Sequence, residues 1–227
     1  MPRSTRDRPA KAPLSKDAIV DAGMKVLRED GIDAVTMRRV AGVLDTGAAS
    51  LYVYVANADE LKQVIFDRVV AEVPMPNVDA EDWRDEMRTL GRNTVEVLDR
   101  YPGIASIAIA HIPTGDNAMR LVNAMIGLLL AGGVPEASAA WAADVVNLYI
   151  TAAAYENFIR ARMDVDQDEE IEEIAEHFRT RAAAYPNVQR VAWAMFAGEG
   201  TERFDFGLDL MINGLLTTPA PVHPSGS

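Results

Sequence analysis

The chain contains no cysteine. That absence removes disulfide scaffolds, thiolate zinc sites, iron–sulfur ligation and cysteine nucleophiles, and makes the cytoplasm the expected location. Long apolar runs are missing as well. The longest, Ile104 to Ile112, is about nine residues, well short of a bilayer-crossing helix. No apolar segment follows the basic N-terminus MPRSTRDRPAKAP, so no secretory signal and no membrane partner are expected. Strand-like alternation is nearly absent. The histidines His111, His177 and His223 share no ligand spacing, so no metal and no cofactor are expected. Excess positive charge is also lacking. The formal net charge is −12, which taken whole disfavours a nonspecific nucleic-acid binder.

What remains is a 227-residue chain that is 49% hydrophobic, enough to bury one large core or two small ones. Its charge is divided unevenly. Residues 1–72 balance eleven basic groups against eleven acids, whereas residues 73–227 set eleven arginines against 23 acids and carry the whole −12. The first sixteen residues hold five basic groups and one acid. Two electrostatically different modules are implied.

Apolar residues recur at helical spacing almost throughout, so the expected fold class is all-α. Ser15 and Asp17 open a first helix with the stripe Ile19, Ala22, Gly23, Val26 and Leu27, and Gly31 closes it. Thr36 caps a second helix, Met37 to Leu44. A third follows at Ala48 to Val53, and Asn57-Ala58-Asp59-Glu60 opens a fourth that runs to Val73. Pro74 and Pro76 then mark a boundary. Further helices are expected over Asp82–Tyr101, Ile104–His111, Asn117–Leu130, Pro135–Arg162, Glu169–Tyr185, Asn187–Phe196 and Phe204–Leu216. The resulting division is a basic arm (1–14), an N-terminal unit (15–73), a C-terminal domain (74–216) and a tail (217–227).

The stretch TMRRVAGVLDTGAASLYVYVANADEL, Thr36 to Leu61, is the informative one. Two short helices joined by a tight turn need a third as backing, and the first helix supplies it. A helix-turn-helix of this kind lays its second helix in the DNA major groove. Ile19-Val20-Asp21-Ala22-Gly23, then Asp30 through Ala41, Ser50 through Val55 and Asn57 through Leu61 follow in order. Together they resemble the TetR family of bacterial transcriptional regulators.

The resemblance implies a ligand-responsive, homodimeric DNA-binding regulator, in most of the family a repressor released from a palindromic operator by a small molecule. It places Thr36, Arg38 and Arg39 on the second helix beside DNA, and Gly47, Ala48 and Ser50 on the recognition helix. It puts Tyr52 and Tyr54 against phosphates, which fix register while base edges give sequence preference. Three departures stand out. The family's turn glycine is Asp45 here, a residue that tolerates left-handed geometry. Its lysine at the start of the fourth helix is Ala58, with Lys62 as the nearest substitute. The recognition helix offers few donors for bidentate readout, so specificity is expected to rest on Arg38, Arg39, thymine methyls and DNA shape.

In the C-terminal domain, Asp82-Trp83-Arg84, Arg100-Tyr101-Pro102-Gly103 and Phe204 through Leu210 resemble one branch of the same family. There this domain dimerises and holds a small-molecule pocket; an apolar pocket in this chain favours an apolar or amphipathic effector. Leu208, Met211, Ile212 and Leu215 form an i, i+3, i+4, i+7 stripe expected at the dimer seam. Asn147, Thr151 and Tyr155 form a polar stripe, for which spacing alone leaves a pocket, the seam or water. Trp83, Met87, Thr94, His111 and Met125 complete the pocket candidates. Asp164 to Asp168 has the opening spacing of a calcium loop, but Glu169 replaces its glycine and Ala175 its final glutamate, so it reads as an acidic loop. Catalysis is not expected. The competing reading is a helical-bundle enzyme or small-molecule carrier with a structural N-terminal unit.

Overall fold

The computed structural model describes residues 13–112, 114–163, 167–195, 197–198 and 200–221, and every regular element among them is helical. Most of the basic arm, the acidic loop at 164–166 and the tail beyond residue 221 lie outside the described residues.

Helix α1 (Lys16–Asp30) starts where Ser15 Oγ accepts the Ala18 N–H at 3.1 Å, with Asp17 against the positive end of the dipole. Gly31 ends it at φ 81°, its N–H donating to Leu27 O. Thr36 Oγ1 accepts the Arg39 N–H and caps α2 (Met37–Val43). The turn that follows holds Asp45 at φ 49°, the left-handed position expected of it. Residues Ala48–Val53 wind as a 3₁₀-helix, closed by Ser50 N–H on Gly47 O and Tyr54 N–H on Leu51 O. Helix α3 (Ala58–Val70) begins with a reciprocal cap. Asn57 Oδ1 accepts the Glu60 N–H at 2.8 Å, and Glu60 Oε2 accepts the Ala56 N–H at 2.5 Å. It ends before the expected Val73 because Glu72 and Val73 turn back onto Val69 O and Val70 O.

Ile19, Leu27, Val40, Leu51, Leu61 and Ile65 join these pieces in one buried core. Helices α1 and α3 cross at Gly23, where a Cβ would stand 2.4 Å from Ile65 Cδ1. The missing side chain is what allows the approach.

The C-terminal body comprises α4 (Trp83–Asp99), α5 (Ala105–Ala110), α6 (Asp116–Ala131), α7 (Glu136–Ala161), α8 (Gln167–Arg181), α9 (Pro186–Met195) and α10 (Gly200–Leu215). Helices α4, α5, α6 and α10 surround α7, while α8 and α9 pack chiefly on each other and on the turn between them. Charge and ring contacts lock α10 in place: Arg88 to Asp209 at 2.8 Å, a two-pronged Arg92–Asp205 pair, and Phe204 stacked on Tyr149 at 5.4 Å. The tail does not leave the body at residue 217. Thr217 and Thr218 N–H donate to Gly214 O, and Ala220 N–H donates to Ser138 Oγ at 3.0 Å.

Candidate DNA-reading face and effector domain

The outer face of the N-terminal unit follows from which side chains the core leaves out. Leu51 and Val55 are buried, and their helix therefore turns Ala49, Ser50, Tyr52 and Val53 outward. Tyr52 is 55% exposed and Val53 81%. Gly47 is exposed and Ala48 half-buried. Thr36 spends its hydroxyl oxygen on the α2 cap. The two arginines differ sharply. Arg39 Nη2 is bound to Asp30 Oδ2 at 2.8 Å, whereas Arg38 is exposed and makes no hydrogen bond or ion pair among the described residues. Lys62 is half-buried and likewise has no carboxylate partner among them. Tyr54 is committed elsewhere: its half-buried hydroxyl donates to Leu14 O at 2.6 Å, so its proton is not on offer to a phosphate in this arrangement.

Two of the contacts that tie this unit to the C-terminal body involve buried or half-buried groups. At one, Asp67 of α3 accepts the Ala118 N–H on Oδ1 and the Asn117 amide on Oδ2, both at 2.9 Å. Gly115 makes the room, since a Cβ there would lie 2.2 Å from the Asp67 carboxylate. At the other, Tyr101 donates its hydroxyl to Glu72 Oε1 at 2.5 Å and accepts from Arg28 Nη2 at 3.2 Å. Burial, and then the neighbouring Glu72 carboxylate, push the Tyr101 hydroxyl above the ordinary tyrosine value, so it stays a donor. Beside it, Ile32 N–H donates to Pro102 O at 3.0 Å.

Inside the C-terminal body most of the expected pocket residues are packed. Met87 and Met125 are fully buried. Trp83 lies against Gly132, where a Cβ would fall 2.1 Å from the indole, and Arg84 stacks on its ring. Thr94 Oγ1 donates to Leu90 O, and Thr151 Oγ1 to Asn147 O, each satisfied within its own helix. Asn147 and Tyr155 are half-buried, with Tyr155 tilted on Phe158. His111 stands apart from this group. It lines a cleft of about 340 Å³ between α3 and the α5–α6 turn, with Lys16, Glu60, Val64 and Ile107.

Two of the four residues expected at the seam, Leu208 and Ile212, are already covered within the single chain, at 0% exposed, and Met211 and Leu215 pack partly against the same core. The i, i+3, i+4, i+7 stripe is the face α10 turns toward α4 and α7, and Gly91 lets Leu208 and Phe204 approach α4 closely. The apolar side chains left outside are Phe206 and Leu210 on α10 and Trp141, Val145 and Leu148 on α7. Val53, Tyr101, Phe206 and Leu210 fall in the family-like stretches of the sequence, but no role attaches to them there, nor to Trp141, Val145 or Leu148. A second apolar phase on α7 is legible there, but the long-range partners of Tyr101 are not.

Residues 75–218 match the family model of the tetracycline repressor-like C-terminal domain. The chain belongs to the TetR family of transcriptional regulators. Some relatives match nearly the whole chain. A transcriptional regulator of the helix-turn-helix type from Saccharopolyspora erythraea is 27% identical over 90% of this chain and 86% of its own. The repressor DrrR1 of Streptomyces coeruleorubidus is 26% identical over 93% and 82%. Among solved structures, ActR of Streptomyces coelicolor in complex with actinorhodin superposes with a TM-score of 0.81 at 32% identity, covering 91% of this chain and 98% of that one. Members of the family are DNA-binding transcriptional regulators, and the relatives are regulators rather than enzymes. No helix among the described residues is long and apolar enough to cross a membrane.

Proposed function

We propose that the protein is a homodimeric repressor whose two helix-turn-helix units grip a roughly palindromic operator, and that a small apolar or amphipathic molecule entering the C-terminal body releases it. The observation that carries this reading is the outer face of residues 36–54. It is an exposed helix with Tyr52 and Val53 uncovered, beside an Arg38 that no carboxylate of the described chain neutralises. Such a face lacks intramolecular purpose and suits a polyanion bearing methyl groups in its groove.

In this reading the residues divide the work as follows. Arg38 and Lys62 supply charge to the phosphates, and Arg39 does so once it exchanges Asp30 for DNA. Tyr52 donates to a phosphate. Gly47, Ala48 and Ser50 allow close approach to base edges, and Val53 packs against a thymine methyl. Tyr54 holds the start of α1 instead of touching DNA. For the seam, α7 is apolar on two sides, and one side remains bare in the single chain, as does the Phe206–Leu210 edge of α10. A helix apolar all round is a buried helix, so a second copy covers Trp141, Val145, Leu148, Phe206 and Leu210.

The effector reading draws on ActR, which has been solved with actinorhodin and with (S)-DNPA. In this chain the ligand would displace the flexible side chains of Met87 and Met125 between α4, α6 and α7, and meet Thr94, Thr151, Asn147 and Tyr155 as its polar partners. It acts through its different affinity for the two dimer arrangements. In vitro selection from a random duplex library with the full chain tests the whole reading. An enriched inverted repeat whose binding weakens steeply with salt supports it, and no enrichment at low salt refutes it.

A further inference from the structure

The ends of three helices meet at one point. Arg28 sits in the last turn of α1, Glu72 just beyond α3, and Tyr101 just beyond α4. The Tyr101 ring is buried, and Arg28 stacks on it at 5.4 Å while binding its hydroxyl. Glu72 accepts the hydroxyl proton and stands 4.0 Å from both Arg28 and Arg100. One residue further, Pro102 O takes the Ile32 N–H, the first amide past the α1 cap. Gly103, at φ 78°, lets the loop close on Ile32 and Phe158, with a Cβ there only 2.8 Å from Ile32 Cγ2. Apart from the Asp67 contact with the start of α6, the other hydrogen-bonded and charged ties between the units are looser, such as Arg162 to Asp33 at 3.8 Å and Arg120 to Ala71 O at 3.3 Å. The segment that Tyr101 holds, Arg28 to Ile32, leads directly to the Thr36 cap and contains Asp30, which positions Arg39.

We propose that Tyr101 is a positioning residue for DNA binding: its hydroxyl fixes the angle of each helix-turn-helix unit on the C-terminal body, and so fixes the half-site spacing that the dimer accepts. The inference rests on the dimeric operator reading above. A buried ring with two directed hydrogen bonds resists rotation in a way that exposed ion pairs do not. Small rotations at this node translate into displacement of the recognition helices, which must reach major grooves about one helical turn apart. Tyr101 also stands at the end of α4, whose Met87 and Thr94 face the interior of the body.

The test uses the full chain and the duplex recovered by selection, made with its native half-site spacing and with one base pair added or removed. Mobility shift reads the affinities. The wild type should lose about a hundredfold with either change of spacing. Tyr101→Phe keeps the ring and removes both hydrogen bonds. It should bind the native spacing several-fold more weakly, and its spacing penalty should shrink to about tenfold or less. Its thermal midpoint should fall by no more than about 4 °C, and its binding to operator-free duplex should stay close to wild type. Glu72→Ala, which removes the acceptor from the exposed side, should show the same relaxed spacing. Glu72→Gln keeps an acceptor for the hydroxyl and should retain the wild-type preference. If Tyr101→Phe and Glu72→Ala keep the full spacing penalty, the inference is overturned while the operator reading stands. If selection yields no inverted repeat, both fall.

Discussion

The crossing of α1 and α3 offers a sharp test of how the N-terminal unit is held together. Gly23 lies in the middle of α1, where glycine costs a helix about 1 kcal/mol relative to alanine. On propensity alone, Gly23→Ala should stabilise. The geometry says otherwise, because the new methyl would sit 2.4 Å from Ile65 Cδ1 and 3.2 Å from its Cγ1, and Ile65 is fully buried. Overpacking of this kind costs roughly 1–3 kcal/mol, so the net change should be a loss of about 0–2 kcal/mol. Ile65→Val removes the Cδ1 atom responsible and alone should cost about 0.5–1.5 kcal/mol. In that background the alanine methyl enters the vacated space, and Gly23→Ala should become neutral or favourable. The two changes should therefore couple by about 1–3 kcal/mol. The tryptophans, Trp83, Trp141 and Trp193, all lie in the C-terminal body, so helix content followed by circular dichroism in urea is the suitable probe. Midpoint shifts at constant slope give the energies. Additivity within about 0.5 kcal/mol would refute the reasoning, as would a more stable single Gly23→Ala.

Other outcomes follow from the same geometry. Arg38→Ala should weaken operator binding by about 1–3 kcal/mol and lower the salt slope by about one. Arg39→Ala should do less, because wild-type Arg39 must first give up an exposed pair with Asp30, worth below about 1 kcal/mol, to reach DNA. Leu148→Asp and Leu210→Asp should shift the protein toward monomer in sedimentation, whereas Leu208→Ala should cost about 2–5 kcal/mol of stability and leave the oligomeric state alone. Thr151→Val should change stability by less than about 1 kcal/mol, since Thr151 bonds only to its own helix; loss of response to an effector found by thermal-shift screening would then mark it as a ligand contact. The Tyr101 hydroxyl, raised by burial and Glu72, should keep its stabilising contribution below the ordinary tyrosine value of 10.0 and lose it as pH climbs through the higher folded value. Tyrosinate absorbance, compared with Tyr101→Phe, would show a normal titration if that account is wrong.

Much of the fold was legible because local chemistry set it. Ser15, Thr36, Asn57 and Asp82 each cap the helix their position announces, and Asp45 takes the left-handed turn that replaces glycine. The reading of the DNA face depended on a few exposed side chains whose partners could not be counted in one dimension. Arg38 and Arg39 are adjacent and alike, yet only one finds Asp30. The stripe expected at the seam carries a similar ambiguity. An apolar stripe on α10 records that a face is buried, not whether its cover comes from the same chain, and Leu208 and Ile212 are covered from within. The pocket candidates share that ambiguity, because Thr94 and Thr151 satisfy their hydroxyls inside their own helices and leave no polar signal pointing outward.

The Asp67 contact makes the two modules one folding unit. Helix α6 opens after Gly115, which has no side chain with which to hold its first free amides, and the carboxylate that does so belongs to α3. A cap of this kind is worth about 0.5–2 kcal/mol, and it is supplied from across the boundary that the prolines mark in the sequence. The body severed from residues 1–73 would therefore begin α6 frayed, and the two parts should melt together in the intact chain. Exchange of DNA-reading units between such regulators is constrained as well: a donor unit lacking an acid at this point of its last helix would deliver a new specificity on a loosened body.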